Sequence, residues 1–500
     1  MLKNISLSIF AVLFLSGISF SQNYRYVHTI FPAAVKTTGV VYGSAPFLNS
    51  LYIDESNTTV HDLVMDIYQP QNDTVTKRPL IVFAHSGGFE TGSRTVDDMV
   101  ALCDTFARKG YVTATIDYRQ GIEILDNADM HYNRGAYRGI QDGRSAIRFL
   151  RANAATYRID PNKVYISGSS AGAFIALNSI YLDPNELPTS VGPVTYTAFF
   201  NNYTGPDLGP PDIGANLSYS GTANGMMPCW GGVGDTLTIG TNNSAPVFLV
   251  HGTADQTVPF NVGPPFGYAG LSNVEGSNLI NKRLTNIGIP AKGTYFVTGQ
   301  DHEFWGTSNG TWVNGTGGNA YWDTIVKKAT VFFWQLHKPT AAFSYSVNGL
   351  TATLSDQSQG AVSWLWNFGD GAIATNQNPV HAFSLPGTYN VRLYITSNVQ
   401  SWDTISVAMT VPSTTGITEA EQNSIVLYPV PARESVTILS GHPIDPSDIE
   451  IFNAYGTRMP VHSAPSSDRL TLDLSGWEPG LYLVCLHSAE GIVYRKLVID

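Results

Sequence analysis

Short continuous apolar runs alternate with stretches of helical apolar spacing through roughly the first two thirds of the chain. Residues 80–84 form an unbroken apolar run, as expected for a strand buried on both faces. Residues 111–116, 163–166 and 246–250 repeat the theme. Between them Ile140, Gly143, Ile147, Leu150 and Ala154 recur at helical spacing, as do Ile325, Ala329, Phe332, Phe333 and Leu336 farther on. Strands alternating with helices predict an α/β unit over residues 22–338, a mostly parallel sheet with helices on both faces. Pro339 then ends the last helix and opens a different pattern. Over residues 339–412 apolar and polar positions alternate. Trp364, Trp366 and Phe368 fall on one face, and Tyr389, Val391, Leu393 and Ile395 on another, which predicts a small β-sandwich. A polar linker at 413–424 leads into a second all-β unit at 425–500.

Five hundred residues exceed what one core organises, in keeping with several domains. The formal charge is 28 − 39 = −11 with no basic run, which argues against nucleic acid or an anionic membrane surface as partner. Lys3, the apolar stretch at 5–15 and small residues at Ser19 and Ser21 predict an export signal over 1–21. No later stretch is apolar for long enough to span a bilayer. Cys103, Cys229 and Cys485 lack metal-ligand spacing. Export permits a Cys103–Cys229 disulfide, and buried free thiols fit equally.

Two resemblances name the C-terminal blocks. Residues 366–371, 378–383 and 386–391 resemble the motifs of PKD domains, known as spacers and binding modules in secreted enzymes; Asp370-Gly371 suits a tight turn between strands. Residues 427–432, 480–484 and 494–499 resemble the C-terminal sorting domain of the type IX secretion system, although Val430 stands where that family usually has Asn. The resemblance implies export in two steps, with the type IX machinery as partner and a secreted or cell-surface location.

The chemistry is concentrated in the first block. Gly168, Ser170 and Gly172 form G-x-S-x-G between an apolar strand and a helical run, the setting of a nucleophile elbow. A serine hydroxyl needs an adjacent base, itself oriented by an acid. Asp255 follows the apolar run at 246–250, and His302 follows a strand read at 294–297. Both therefore fall at the strand ends where open α/β sheets bind ligands. Asp301 and Glu303 flank the histidine, but neighbouring residues rarely point correctly at its Nδ1, so Asp255 is the expected acid. His85 and His251 precede glycines in predicted loops, where a bond to loop backbone is the expected role.

These motifs resemble the α/β-hydrolase serine esterases and lipases, with the Ser-Asp-His order of that fold. The resemblance runs from about residue 63 to 336 and includes Asp117-Tyr118-Arg119 and the exit of an early strand at 66–70. Residues 85–89 resemble the HGGG loop of these enzymes, with Ser86 replacing the first glycine. That implies an oxyanion hole from the Ala171 amide and from Gly87 or Gly88, the choice between them left open. Phe89, Trp230 and Trp305 are candidate substrate-lining residues, and the insertion at 185–220 a candidate lid or pocket wall. No cofactor or metal is called for. The expected activity is hydrolysis of extracellular esters: acylated or feruloylated polysaccharide, lipid or polyester. A prolyl-oligopeptidase-like peptidase and a catalytically silent binding protein are the alternatives.

Overall fold

The computed structural model describes residues 25–49, 54–122, 126–306, 317–412, 426–439, 444–461, 469–488 and 491–500. The expected export signal at 1–21 and linker at 413–424 lie outside these residues.

Eight strands make one sheet: β1 (Ala34–Leu48), β2 (Thr58–Pro70), β3 (Arg78–Ala84), β4 (Val112–Ile116), β5 (Ile159–Ser169), β6 (Met226–Cys229), β7 (Phe248–Gly252) and β8 (Gly293–Val297). Their spatial order is β1-β2-β4-β3-β5-β6-β7-β8. β2 pairs antiparallel with β1 and β4, and the strands from β4 onward pair in parallel. The apolar run at 80–84 behaves as its composition dictates. Leu80, Val82 and Ala84 join one core, while Ile81 and Phe83 join the core on the opposite face. Successive side chains of a strand point to opposite faces, so two buried faces leave no place for polar residues.

The helices divide accordingly. α1 (Asp97–Ala107) and α5 (Ala320–Gln335) contribute Leu102, Phe106, Ile325 and Phe333 to one face. α2 (Ala128–Ala152), α3 (Ala171–Tyr181) and α4 (Ser277–Asn286) contribute Ile147, Ile175 and Ile280 to the other. A Cβ at Gly143 would stand 2.5 Å from the Ile175 side chain, so glycine there lets α2 and α3 cross closely. Among the described residues no helix is long and apolar enough to cross a membrane.

Two pairs of small antiparallel sheets follow. The first pair encloses Trp366, Phe368, Val391, Leu393 and Ile395. At its tight turn the Asp370 carboxylate accepts the Ala372 amide and Gly371 takes φ +91°. The second pair encloses Val436, Ile438, Ile451, Leu472 and Val484. The three cysteines are buried free thiols, so the Cys103–Cys229 alternative is not realised.

α2 begins twelve residues before its first apolar marker, Ile140. Its first half buries polar side chains instead. Arg134 and Arg138 converge on the Glu55 carboxylate, with His131 Nδ1 3.2 Å from it. Farther along, polar side chains of α2 fasten the insertion. Arg134 donates to the carbonyls of Ser190, Gly192 and Pro206, Gln141 to those of Leu208 and Pro210, and Arg151 to those of Ser220 and Thr222. The 185–220 segment is therefore strapped to α2 rather than poised as a free lid. Glu186, Pro188 and Val191 do form a wall, with Tyr132, Phe174 and Val274, of a cavity of about 310 Å³.

Candidate active site

The elbow is a backbone construction. β5 ends at Ser169, α3 starts at Ala171, and Ser170 between them takes φ 53° and ψ −117°, a conformation L-residues seldom adopt. Its amide donates to the Cys229 carbonyl at 3.0 Å, tying the turn to β6. A Cβ at Gly168 would lie 2.4 Å from the Gly172 carbonyl carbon, and one at Gly172 only 2.0 Å from the Ala84 carbonyl oxygen. Both positions of the motif therefore require glycine for close approach, independent of any chemistry.

Asp255 and His302 lie in the loops after β7 and β8, so all three candidates sit at the C-terminal ends of parallel strands. His302 Nδ1 is 2.8 Å from Asp255 Oδ2, and His302 Nε2 is 2.9 Å from Ser170 Oγ. A carboxylate only accepts, so Nδ1 carries the proton and donates, leaving Nε2 to accept from the hydroxyl. Asp255 Oδ1 accepts the amides of Thr257 and Val258, each at 2.8 Å. Burial by itself would raise this carboxyl, but hydrogen bonds from His251 and His302 outweigh it and hold Asp255 at about 2. Asp301 faces away from the imidazole: its Oδ1 accepts the Gln256 amide and the amide of His302, latching the two loops together.

The loop after β3 is shaped for close backbone approach. Gly87 and Gly88 both take positive φ (120° and 63°), and the Gly87 carbonyl accepts the amides of Glu90 and Thr91. A Cβ on Gly87 would stand 2.1 Å from the Thr91 carbonyl oxygen, so no side chain fits. The same close approach of Gly172 to Ala84 and His85 sets this loop beside the first turn of α3, where Ala171 lies. The amides of a helix's first turn have no intrahelical acceptor, which leaves that of Ala171 available to an anion.

Asp117-Tyr118-Arg119 braces this loop. Tyr118 donates its hydroxyl to the His85 carbonyl at 2.9 Å and stacks on the His85 ring. Asp117 accepts the Arg94 amide, Arg119 is bound to Asp142 of α2, and Gln120 donates to the carbonyls of Thr91 and Gly92. The expected backbone bond of His85 is present, between Nδ1 and the Ser86 carbonyl, and burial pushes its imidazole down to about 4. His251 also makes the expected bond to loop backbone, from Nε2 to the Val258 carbonyl, but it does so from within strand β7 rather than from a loop, and the same nitrogen faces Asp255.

The three aromatic candidates are also placed differently. Phe89, Trp230 and Trp305 are at most 1% exposed. Phe89 packs among Tyr118, Tyr132 and Phe174, while the Trp230 ring fits between His302, Phe304 and Trp305. They are packing behind the site rather than open pocket wall; positive φ at Phe89 and Trp230 is part of the local turn geometry. An exposed aromatic near the loop after β3 is Phe266, whose ring would meet a Cβ on Gly88 at 3.5 Å. Sequence gave no cue to it, because it comes from a loop nearly 180 residues downstream.

Residues 65–198 match the BD-FAE family, residues 338–411 the PKD domain and residues 426–500 the secretion system C-terminal sorting domain. The matched stretch of the first domain resembles α/β-hydrolase esterases. It is similar to carboxylesterase 3B of Mus musculus, 38% identical over 124 residues that make up 24% of this chain and 21% of that protein. It is also similar to gut esterase 1 of Caenorhabditis elegans, 30% identical over 111 residues, 22% of this chain and 19% of that one. The matched region spans about a fifth of these relatives' length. Among solved structures, esterase 2 of Thermogutta terrifontis aligns over 61% of this chain and 96% of its own, at 22% identity and a TM-score of 0.40. The esterase match begins within β2 and ends at Ala198 within the 185–220 segment, so it takes in the elbow and the loop after β3.

Proposed function

We propose that this chain is an exported serine carboxylic-ester hydrolase with Ser170 as nucleophile, His302 as base and Asp255 as the acid that orients it. The single observation that carries the reading is the unbroken run from Ser170 Oγ to His302 Nε2 at 2.9 Å and from His302 Nδ1 to Asp255 Oδ2 at 2.8 Å. Ser170 Oγ attacks the ester carbonyl carbon as His302 Nε2 takes its proton. The resulting oxyanion is held by the amides of Ala171 and of Gly87 or Gly88. Collapse expels the alcohol, which leaves with the proton from His302, and an acyl-serine remains. Water, giving a proton to the same nitrogen, adds to the acyl carbon and releases the acid and free Ser170. On this reading the half-exposed Phe266 beside Gly88 touches the bound ester. The substrates in view are extracellular esters: acylated or feruloylated polysaccharide, lipid or polyester. The sorting domain supports a secreted or cell-surface location, with the type IX machinery as the partner that recognises it.

The test is hydrolysis of p-nitrophenyl esters by the purified full chain beside Ser170→Ala. Turnover by the native chain, lowered at least about a thousandfold in the variant, is the expected result. Equal turnover by both, or cleavage of peptides without cleavage of esters, overturns the proposal.

A further inference from the structure

His251 occupies the fourth position of β7 and is fully buried. Its ring nitrogens have different surroundings. Nε2 lies 3.0 Å from the Val258 carbonyl oxygen and 3.2 Å from Asp255 Oδ2. Both are acceptors only, so Nε2 must carry a proton. In the neutral ring Nδ1 then lacks one, and the group facing it at 2.8 Å is the hydroxyl of Ser277, which can donate. Ser277 is itself fully buried as the first residue of α4. It is brought there by Gly276, where a Cβ would lie 1.9 Å from the Pro259 carbonyl oxygen. Phe260 closes the ring from the side, edge to face.

The count of donors on Asp255 gives this arrangement its consequence. Oδ1 accepts two backbone amides, and Oδ2 faces two imidazole N–H groups, those of His302 and His251. A carboxylate has about four acceptor positions. Three of these are filled by hydrogen bonds, and the His251 N–H, shared with the Val258 carbonyl, stands at the fourth, which restrains the group from turning away from His302.

We propose that His251 is a positioning residue of the hydrolytic site: with Ser277 fixing its tautomer, it holds the Asp255 carboxylate oriented toward His302. The alternative is a core histidine that merely holds the Val258 turn. This inference rests on the triad reading above and extends it to a line of five side chains, Ser277, His251, Asp255, His302 and Ser170.

The experiment uses the full chain with p-nitrophenyl acetate and three variants, each also followed by thermal melting. His251→Phe fills the ring volume and removes the donor; His251→Gln restores an amide N–H near the position of Nε2; Ser277→Ala frees the tautomer. Loss of one hydrogen bond to a charged group is expected to lower kcat by roughly 10- to 100-fold in His251→Phe, with KM within about twofold. His251→Gln is expected to recover most of that loss and Ser277→Ala to show a smaller one. A well-folded His251→Phe with unchanged kcat overturns the inference, as does a His251→Gln that melts like the native chain yet loses as much as His251→Phe. Should His251→Phe fail to fold, the Gln and Ala variants decide by the same measures. A readout independent of turnover is ¹⁵N NMR of the histidine-labelled chain. It is expected to find the Nε2–H form at residue 251, and the Nδ1–H form overturns the proposal. If native and Ser170→Ala chains turn over esters equally while the Nε2–H form is present, the triad reading fails and the hydrogen-bond assignment stands.

Discussion

Asp98 shows how a single residue can make stability depend on pH near neutrality. It stands in the first turn of α1, accepts the amide of Met99, and is buried close to Glu303, the neighbour of His302. Burial, then the like charge of Glu303, pushes its carboxyl up to about 7, whereas in the unfolded chain it ionises near 4. Between those values the folded protein holds a proton that the unfolded chain has released. The stability this contributes is present below about pH 4 and is lost as pH rises through 7. Asp98→Asn is therefore expected to flatten the fall in unfolding free energy between pH 5 and 8, measured by urea denaturation at both. A fall as steep as that of the native chain would count against the assignment. Burial also separates what residue type suggested from what the fold did. Phe89, Trp230 and Trp305 are aromatic and close to the site in sequence, which made them pocket candidates. Which way each ring points depends on turn geometry and on neighbours such as Tyr132, Phe304 and Trp322.

At the scale of elements, α2 is the most informative. Its second half was legible because Ile147 and Leu150 face the sheet and repeat with the helical period. The first half was hidden, because a helix that buries His131, Arg134 and Arg138 against Glu55 has no apolar stripe to read. Their burial becomes tolerable only when the opposite charge arrives from some eighty residues away. Burial would raise the Glu55 carboxyl, but the His131 hydrogen bond and the charges of Arg138 and Arg134 outweigh this and hold it at about 2. The stability so contributed is present above the unfolded value near 4.3 and is lost as pH falls through 2. Glu55→Gln is expected to be less stable at pH 7 by about 3 kcal/mol, since it leaves two buried guanidinium groups without their counter-charge. The deficit is expected to shrink as pH falls below about 4. Guanidinium chloride unfolding at pH 7 and pH 3 checks both statements. Turnover of the p-nitrophenyl ester is a second readout for the proposed activity, because the same helix carries Asp142, the anchor of Arg119 behind the loop after β3.

For the whole molecule, the first small β-unit is joined to the eight-stranded sheet and its helices by more than a connecting segment. The turn at 397–401 enters the core on the α1 and α5 side, where Val399 is fully buried. Tyr26 donates its hydroxyl to the Val399 carbonyl, Asn398 bonds Asp160, Lys338 pairs with Asp403, and Trp334 packs against Trp402. Asp160 lies at the start of β5, so this junction is at the opposite end of the strand from Ser170. The PKD unit is thereby held at the pole away from Ser170, by these contacts as well as by its connecting segment. Val399→Asp places a charge in this core beside Tyr26. It is expected to destabilise the chain by about 3 kcal/mol, read as a lower urea midpoint, while kcat of the folded fraction stays near the native value. An unchanged midpoint would show that the two units fold independently.

The sequence by itself determined the architecture and the candidate triad, because the signals involved are local. Alternation along a strand, an apolar run with no polar position, and two glycines around a serine are each set within a few residues by backbone geometry and sterics. That Ser170, Asp255 and His302 each fall just beyond a strand followed from the same signals, and their order is the one the resemblance to α/β-hydrolases implies. Tertiary structure alone decided what depends on distant partners. It set the direction of the buried aromatics, the charged underside of α2, the seat of Val399, and the second imidazole on Asp255. The physical reason is that burying a polar or charged group is favourable only when its partner is in place. Those partners are brought by other elements of the fold and leave no mark in the neighbouring sequence.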